Sequence, residues 1–224
     1  MKFLVYTFHD AGSHEGCSFK ELARLTMPSK QEYAKLHGYD FYVREDSNPE
    51  RAVGWTKIDI ALDKIENYDW ILYVECDAMI MNQTIRLENL IDNNYDIIIA
   101  DSKYRSDYTG VNTGVMLMKC SPWSRDFLQS LNEKSEFFHT NWFEQGAIIQ
   151  AIRNDDIRLH FKLVDNRLFN SYYHKDTPDD NFRFGDFICH CAGTSNETRH
   201  ALFSELSQRI IKPPTNTLIE TPFF

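Results

Sequence analysis

Trp70-Ile71-Leu72-Tyr73-Val74-Glu75-Cys76-Asp77-Ala78-Met79-Ile80-Met81-Asn82 decides the fold of this chain. An apolar run of aromatic and β-branched residues stops at two carboxylates one residue apart, and a second apolar run comes next. The first run has the length of a strand buried in a parallel sheet, where both faces are covered and polar alternation disappears. Open α/β sheets bind ligands outside the carboxyl ends of their strands. Glu75 and Asp77, at i and i+2 of an extended chain, point to one side and can share a hard divalent cation of the kind that bridges a nucleotide diphosphate. A strand end with two solvated acids is the plain alternative. The apolar flanks weigh against it, because unpaired acids are costly to bury.

Strand and helix patterns alternate on both sides of this stretch. Lys2–Phe8 reads as a first strand, with a polar loop after it from His9 to Ser18. Pro28 suits an early position in a helix that Gly38 closes after His37. Phe41–Val43 is a second strand, and Trp55, Ile58, Ala61, Leu62 and Ile65 make one helical face. Leu87, Leu90 and Ile91 predict a short helix or turn, and Ile97–Ala100 a further buried strand. Residues 103–111 read as a loop over the site, and Val115–Met118 as another strand. Pro122 opens a helix containing Trp123, Phe127, Leu128 and Leu131, and residues 147–152 belong to the next. Residues 154–188 look irregular, with aromatics and short strands, and a last helix is expected from about Arg199 to Ile211. The pattern is one α/β domain over residues 1–212 with a tail at 213–224.

Composition narrows the classes. With 42% hydrophobic residues the chain can bury a sizeable core, which excludes disorder. Its net charge of −9, with no Lys/Arg cluster to offset it, argues against nucleic acid as a partner. A nucleotide remains possible for an acidic protein when a metal supplies local positive charge. The cysteines (Cys17, Cys76, Cys120, Cys189 and Cys191) are odd in number and sparse, as in free thiols of a reducing compartment. The amino-terminal residues read as a strand rather than a signal peptide, and no apolar run is long enough to span a membrane. A soluble, cytoplasmic protein is the expectation.

Three further groups could carry chemistry. In Asn112-Thr113-Gly114, small and amide residues allow a backbone to approach a ligand closely; alone, the triplet is an ordinary turn into a strand. In Trp142-Phe143-Glu144-Gln145-Gly146-Ala147, Glu144 could satisfy a helix dipole, or Glu144 and Gln145 together could grip sugar hydroxyls. In His190-Cys191-Ala192-Gly193, the imidazole could ligate a metal and the Gly193 amide could meet a phosphate, although a lone histidine is more often structural.

The order of these pieces is more telling than any one of them. Trp55-x-Lys57, Glu75-Cys76-Asp77, Asn112-Thr113-Gly114, Glu144-Gln145 and His190-x-x-Gly193 together resemble the family 34 glycosyltransferases, which include galactosyl-, mannosyl- and xylosyltransferases. Tyr33-Ala34, His37-Gly38-Tyr39, Trp70-Ile71, Asp77-Ala78 and Trp123 extend the resemblance over roughly residues 1–200. It implies a single GT-A-type, Rossmann-like α/β domain with a central, mostly parallel sheet flanked by helices. It also implies a nucleotide-sugar donor, a divalent metal (manganese, with magnesium as the alternative) and retention of anomeric configuration. By the same resemblance Glu75, Asp77 and His190 are the metal ligands. Tyr6 and Thr7 lie near the base and ribose, Lys57, Cys76 and Gly193 face the donor, and Asn112, Thr113 and Gly114 line the donor sugar or the acceptor cleft. Glu144 and Gln145 hold the transferred sugar beneath its anomeric carbon. Two departures stand out: Glu75 occupies a position where the family usually has Asp, and Ser195 one where plant members carry a lysine, which Lys175 or Arg199 would have to replace.

The expected activity is transfer of a hexose or pentose from a nucleotide-diphosphate sugar, foremost a UDP-sugar, to a saccharide hydroxyl. A nucleotidyltransferase on a related sheet is the competing enzyme, but its phosphate loop is Gly-rich and basic, whereas His9–Gly16 is acidic. A non-catalytic carbohydrate-binding protein on a degenerate transferase fold is the competing non-enzyme.

Overall fold

The aromatic and β-branched strands of this sequence assemble into one six-stranded sheet. In the computed structural model, which describes residues 1–10, 19–102, 110–173 and 181–214, these strands are β1 (Phe3–Phe8), β2 (Asp40–Arg44), β3 (Trp70–Val74), β5 (Ile97–Ser102), β6 (Gly110–Lys119) and β7 (Phe161–Asp165). Their spatial order is β2-β1-β3-β6-β5-β7. The pairs β2–β1, β1–β3 and β5–β7 are parallel, while β6 runs antiparallel to both β3 and β5. The sheet is therefore mostly parallel, with helices on both faces. All residues of β1 and β3 are buried, as their unbroken apolar sequence requires.

Because β6 alone is reversed, its amino-terminal end lies beside the carboxyl ends of β1 and β3. Val74 pairs with Val115, and the Glu75 N–H donates to the Gly114 carbonyl at 2.7 Å. A second, three-stranded sheet completes that edge: β4 (Ala78–Ile80) pairs with β9 (Ile188–His190), which pairs with β8 (Ser171–Tyr172). Ala78 sits opposite His190 in this ladder, bringing together residues more than a hundred positions apart.

The helices follow the apolar periodicity. In α1 (Phe19–His37) the residues Leu22, Ala23, Thr26, Ser29, Lys30, Tyr33 and Ala34 form the buried face. Pro28 lies in the middle of this helix rather than near its start, a correction to the sequence reading: packing of the long buried face outweighs the loss of one backbone N–H. Gly38 ends the helix at φ +71°, and the Tyr39 N–H closes back on the Ala34 carbonyl at 2.9 Å. Helix α2 (Thr56–Lys64) is extended at both ends by short 3₁₀ turns and covers the opposite face. Helices α3 (Pro122–Asn132) and α4 (Phe143–Ala151) pack beside it, with Ser121 capping α3. The short helices α5 (Asp155–Arg158) and α6 (Asn166–Phe169) flank β7.

Three further boundaries differ from the sequence reading. Asn112, Thr113 and Gly114 lie inside β6 rather than before it, at an irregularity where Ile99 pairs with Met116 but Ala100 with Asn112. The stretch 154–188, read as irregular with short strands, holds the five-residue edge strand β7. The last helix, α7 (Asn196–Leu206), starts earlier because Ser195 caps it, accepting the Thr198 N–H at 3.2 Å. It also stops earlier: Ile211 is extended and pairs with residues 81–83. Most of the predicted loop at 103–111, most of the polar loop after His9, Lys175 and the end of the tail lie outside the described residues.

Candidate active site

A cavity of about 280 Å³ opens where the carboxyl ends of β1 and β3 meet the start of β6, the start of α4 and the end of β9. Lys57, Glu75, Cys76, Asp77, Asn112, Thr113, Gly114, Glu144, Gln145, His190 and Gly193 all line it. The sheet topology is the cause: the first half of β6, the turns after β3 and β9 and the starts of α2 and α4 all meet at this end of the sheet.

Lys57 is the centre of one half. Its ammonium, 3% exposed, lies 2.9 Å from Glu75 Oε2 and 2.7 Å from Glu144 Oε1. Burial opposes its charge, but Glu144 and Glu75 outweigh that and hold it above the usual lysine range. Glu75 Oε1 also accepts the Tyr73 hydroxyl at 2.5 Å. Burial, and then the Glu75 charge, keep that phenol protonated. Glu144 Oε1 further accepts the Thr113 hydroxyl at 2.7 Å, and Gln145 Oε1 accepts the Thr113 N–H at 3.1 Å. Glu144 Oε2 is buried without a hydrogen-bond partner. A side chain at Gly54 would place its Cβ 2.5 Å from that oxygen, so only glycine fits there. Phe143, with φ +48°, is the strained entry to α4 that turns Glu144 inward.

The other half is a chain of hydrogen bonds that fixes the His190 tautomer. Asn112 Oδ1 accepts both the Gly114 N–H and Asn170 Nδ2, each at 2.9 Å. Asn170 must therefore turn its Oδ1 to His190 Nδ1 at 3.0 Å, which makes Nδ1 the protonated nitrogen. His190 Nε2 faces Asp77 Oδ1 at 3.2 Å. In a neutral ring this is a lone pair against a carboxylate, an arrangement that closes only with a proton or a cation between them. Asp77 Oδ2 is 2.9 Å from Arg199 Nη2. Burial opposes ionisation of Asp77, yet His190 and Arg199 prevail and hold its carboxyl below the usual range. Arg199 reaches Asp77 from α7, one turn beyond the Ser195 cap.

The donor set can be tested against a divalent cation. Asp77 and His190 fit: an oxygen and an imidazole nitrogen converge, and Asn170 orients the ring from behind as metal-bound histidines require. Glu75 is turned to Lys57 and Tyr73, and among the described residues no three His, Cys, Asp or Glu side chains come together as a metal set. The longer side chain at position 75 reaches the lysine.

Tyr6 and Thr7 are not at the cavity. Both are buried in β1; the Tyr6 hydroxyl donates to the Lys57 carbonyl at 3.3 Å, and Thr7 Oγ1 has no hydrogen-bond partner. The strand runs on, so Phe8, His9 and Asp10 reach the cavity in their place. Sequence reasoning also missed Gly54, Tyr73 and Asn170. Each is an isolated common residue whose role exists only through its neighbours in space.

Residues 31–200 match the family described as "Protein of unknown function, DUF273". The chain belongs to that family. This chain is 27% identical over 191 residues to an uncharacterized alpha-1,2-galactosyltransferase of Schizosaccharomyces pombe, covering 68% of the chain and 55% of that protein. The chain spans about half the length of the curated relatives it matches first. Among solved structures, a glycosyltransferase involved in glycosylating the major capsid of PBCV-1 superposes with a TM-score of 0.71 at 20% identity, over 92% of this chain and all of that one. The galactosyltransferase LgtC, in complex with donor and acceptor sugar analogs, superposes at 0.58 and 13% identity over 95% and 98%. The DUF273 chain thus has the GT-A glycosyltransferase fold. Among its described residues no helix is long and apolar enough to cross a membrane.

Proposed function

We propose that this DUF273 chain is a metal-dependent glycosyltransferase that moves a hexose or pentose from a nucleotide-diphosphate sugar, foremost a UDP-sugar, to a saccharide hydroxyl with retention of configuration. The observation that carries the reading is the convergence of Lys57, Asp77, Asn112–Gly114, Glu144–Gln145 and His190 on one cavity at the sheet edge where open α/β folds bind ligands. The similarity to named galactosyltransferases and the GT-A fold support the same reading.

In this account Asp77 and His190 hold the divalent cation. When bound, that cation supplies charge neutralisation to the departing diphosphate. Arg199 keeps Asp77 ionised and adds a fixed positive charge beside it. Asn170 and Asn112 lock His190 so that Nε2 faces the ligand. Gly114 gives the ring room, since a Cβ there would stand 2.2 Å from His190 Cε1. Lys57 holds Glu144 in place, which makes Glu144 a positioning group rather than a free nucleophile. Gln145, held by the Thr113 N–H, remains at the cavity wall as a polar group for the transferred sugar. The acceptor hydroxyl enters on the face from which the diphosphate leaves, and its proton passes to a phosphate oxygen of the leaving group.

Nucleotide release from a panel of UDP- and GDP-sugars, measured by chromatography with manganese and again with chelator, tests the reading. Manganese-dependent release from one donor, lost in Asp77→Ala, is the expected result. Full activity in that variant with normal metal dependence would overturn the assignment.

A further inference from the structure

Residues 75–78 make a tight turn, closed by the Ala78 N–H on the Glu75 carbonyl at 3.1 Å. Each carbonyl of the turn has a different partner. That of Glu75 is taken within the turn, and that of Asp77 by the Cys191 N–H at 2.9 Å. The Cys76 carbonyl alone is held by side chains, both from α1: the Thr26 hydroxyl at 2.7 Å and Lys30 Nζ at 3.5 Å. The Cys76–Asp77 peptide is the central peptide of the turn. Rotating it separates one turn type from another, and the alternative needs a positive φ at the third residue. Asp77 is not among the positive-φ residues, so the carbonyl held by Thr26 and Lys30 corresponds to one defined form.

Lys30 is an unusual residue to find there. It is fully buried and forms no ion pair among the described residues, where its ammonium hydrogen-bonds only to Thr26 Oγ1, at 3.4 Å, and the Cys76 carbonyl. A site asking only for volume takes Leu or Met without burying a charge. The polar stripe continues along α1 at helical spacing. Ser29 Oγ accepts the Ile80 N–H at 3.2 Å, the Tyr33 hydroxyl donates to the Ile85 carbonyl at 2.8 Å, and His37 Nε2 meets the Gln83 carbonyl at 2.8 Å. Helix α1 thereby fastens the backbone of residues 76–85, beginning at the peptide between the two acids.

We propose that Thr26 and Lys30 are positioning residues of the acid turn: they hold the Cys76 carbonyl toward α1, fix the central peptide, and so keep the Asp77 carboxylate against His190 for a nucleoside diphosphate and its divalent cation. The ligand part of this inference rests on the donor-site reading; the locking of the turn does not. Neither residue lines the cavity, so both act through the turn.

The test uses the whole chain and the variants Thr26→Val, Thr26→Ser, Lys30→Met and Thr26→Val/Lys30→Met. Two quantities are read: amide exchange at Ala78 by NMR, and affinity for UDP in the presence of Mn²⁺ by calorimetry. The expected result is exchange at Ala78 faster by at least tenfold in Thr26→Val and Lys30→Met, with affinity lower by about tenfold as for loss of an outer-shell partner. Thr26→Ser, which keeps the hydroxyl, stays near wild type. The double variant is no worse than the weaker single one, because both side chains act on one carbonyl. Should Lys30→Met fail to fold, the Thr26→Val and Thr26→Ser pair gives the same answer. Exchange at Ala78 unchanged in Thr26→Val would overturn the proposal. A wild-type chain with a protected Ala78 amide that binds no UDP would remove the donor-site reading and leave the turn lock standing.

Discussion

Replacing Lys57 by Met removes the one cation that pairs with Glu144 among the described residues. In the native chain the ammonium sits 2.7 Å from Glu144 Oε1 and 2.9 Å from Glu75 Oε2, and the two carboxylates respond differently to its loss. Glu75 is 24% exposed and can be rehydrated, whereas Glu144 is 2% exposed and cannot. Breaking a buried pair by removing one partner costs about 3–5 kcal/mol. For a chain of this size that is a fall in Tm of about 6–20 °C. Urea unfolding at pH 7 measures it directly, as a lower midpoint with an unchanged slope. The sign of the pH dependence adds a second check. Lys57 has a folded pKa raised above its unfolded one, so its contribution is fully present below the unfolded value and is lost only as pH rises through the folded value, far above neutrality. The deficit of Lys57→Met therefore stays level from neutral through mildly alkaline pH. Adding Glu144→Gln to Lys57→Met restores much of the loss, since no buried charge is left unpaired. A Lys57→Met chain within about 1 kcal/mol of wild type at pH 7 would refute the reasoning, because that is the size of an exposed pair.

The same geometry carries other expected outcomes. Gly114→Ala drives a Cβ to 2.2 Å from His190 Cε1 and 2.9 Å from Asn112 Oδ1, so the ring or the strand must shift. It should cost about 1–3 kcal/mol by denaturant unfolding and weaken metal-dependent nucleotide binding together. Lys30 has a folded pKa lowered by burial to about 8, against 10.5 in the free side chain. Between those values the unfolded chain binds more protons, so wild-type stability should rise with pH by about 3 kcal/mol relative to Lys30→Met. A stability difference that stays flat over that window would contradict it. Arg199→Met should raise the pH at which Asp77 takes up a proton, tracked by carboxyl-carbon NMR, because it removes one of the charges that hold that carboxyl down.

The strands were legible because burial on both faces leaves an unmistakable sequence: Phe3–Phe8, Trp70–Val74 and Ile97–Ala100 stand where the apolar runs are. The candidate site was legible in part because Glu75, Cys76 and Asp77 directly follow one of those strands. The rest is set by contacts between distant residues. Gly110–Asn112 join β6 through an irregular pairing with β5, which no local pattern encodes. Pro28 sits inside α1 because the packed face of that helix outweighs one missing hydrogen bond. Glu75 turns to Lys57 and Tyr73, a choice made by its extra methylene and by a lysine on another element. Tyr6 and Thr7 fell short of the cavity because they are buried inside β1, and the chain reaches the cavity only at Phe8, the last residue of that strand, and at His9 and Asp10. Asn170 carried no motif and Arg199 stood out only as a stand-in for a missing lysine, yet they fix the tautomer of His190 and the charge of Asp77.

The most direct measurement is calorimetric titration of UDP into the chain with Mn²⁺ and then with chelator, on wild type and on Asp77→Asn. The account predicts saturable binding of one UDP in Mn²⁺, weaker by at least about tenfold with chelator and in Asp77→Asn. UDP binding that is absent, or equally strong with chelator and without the Asp77 carboxylate, would contradict it.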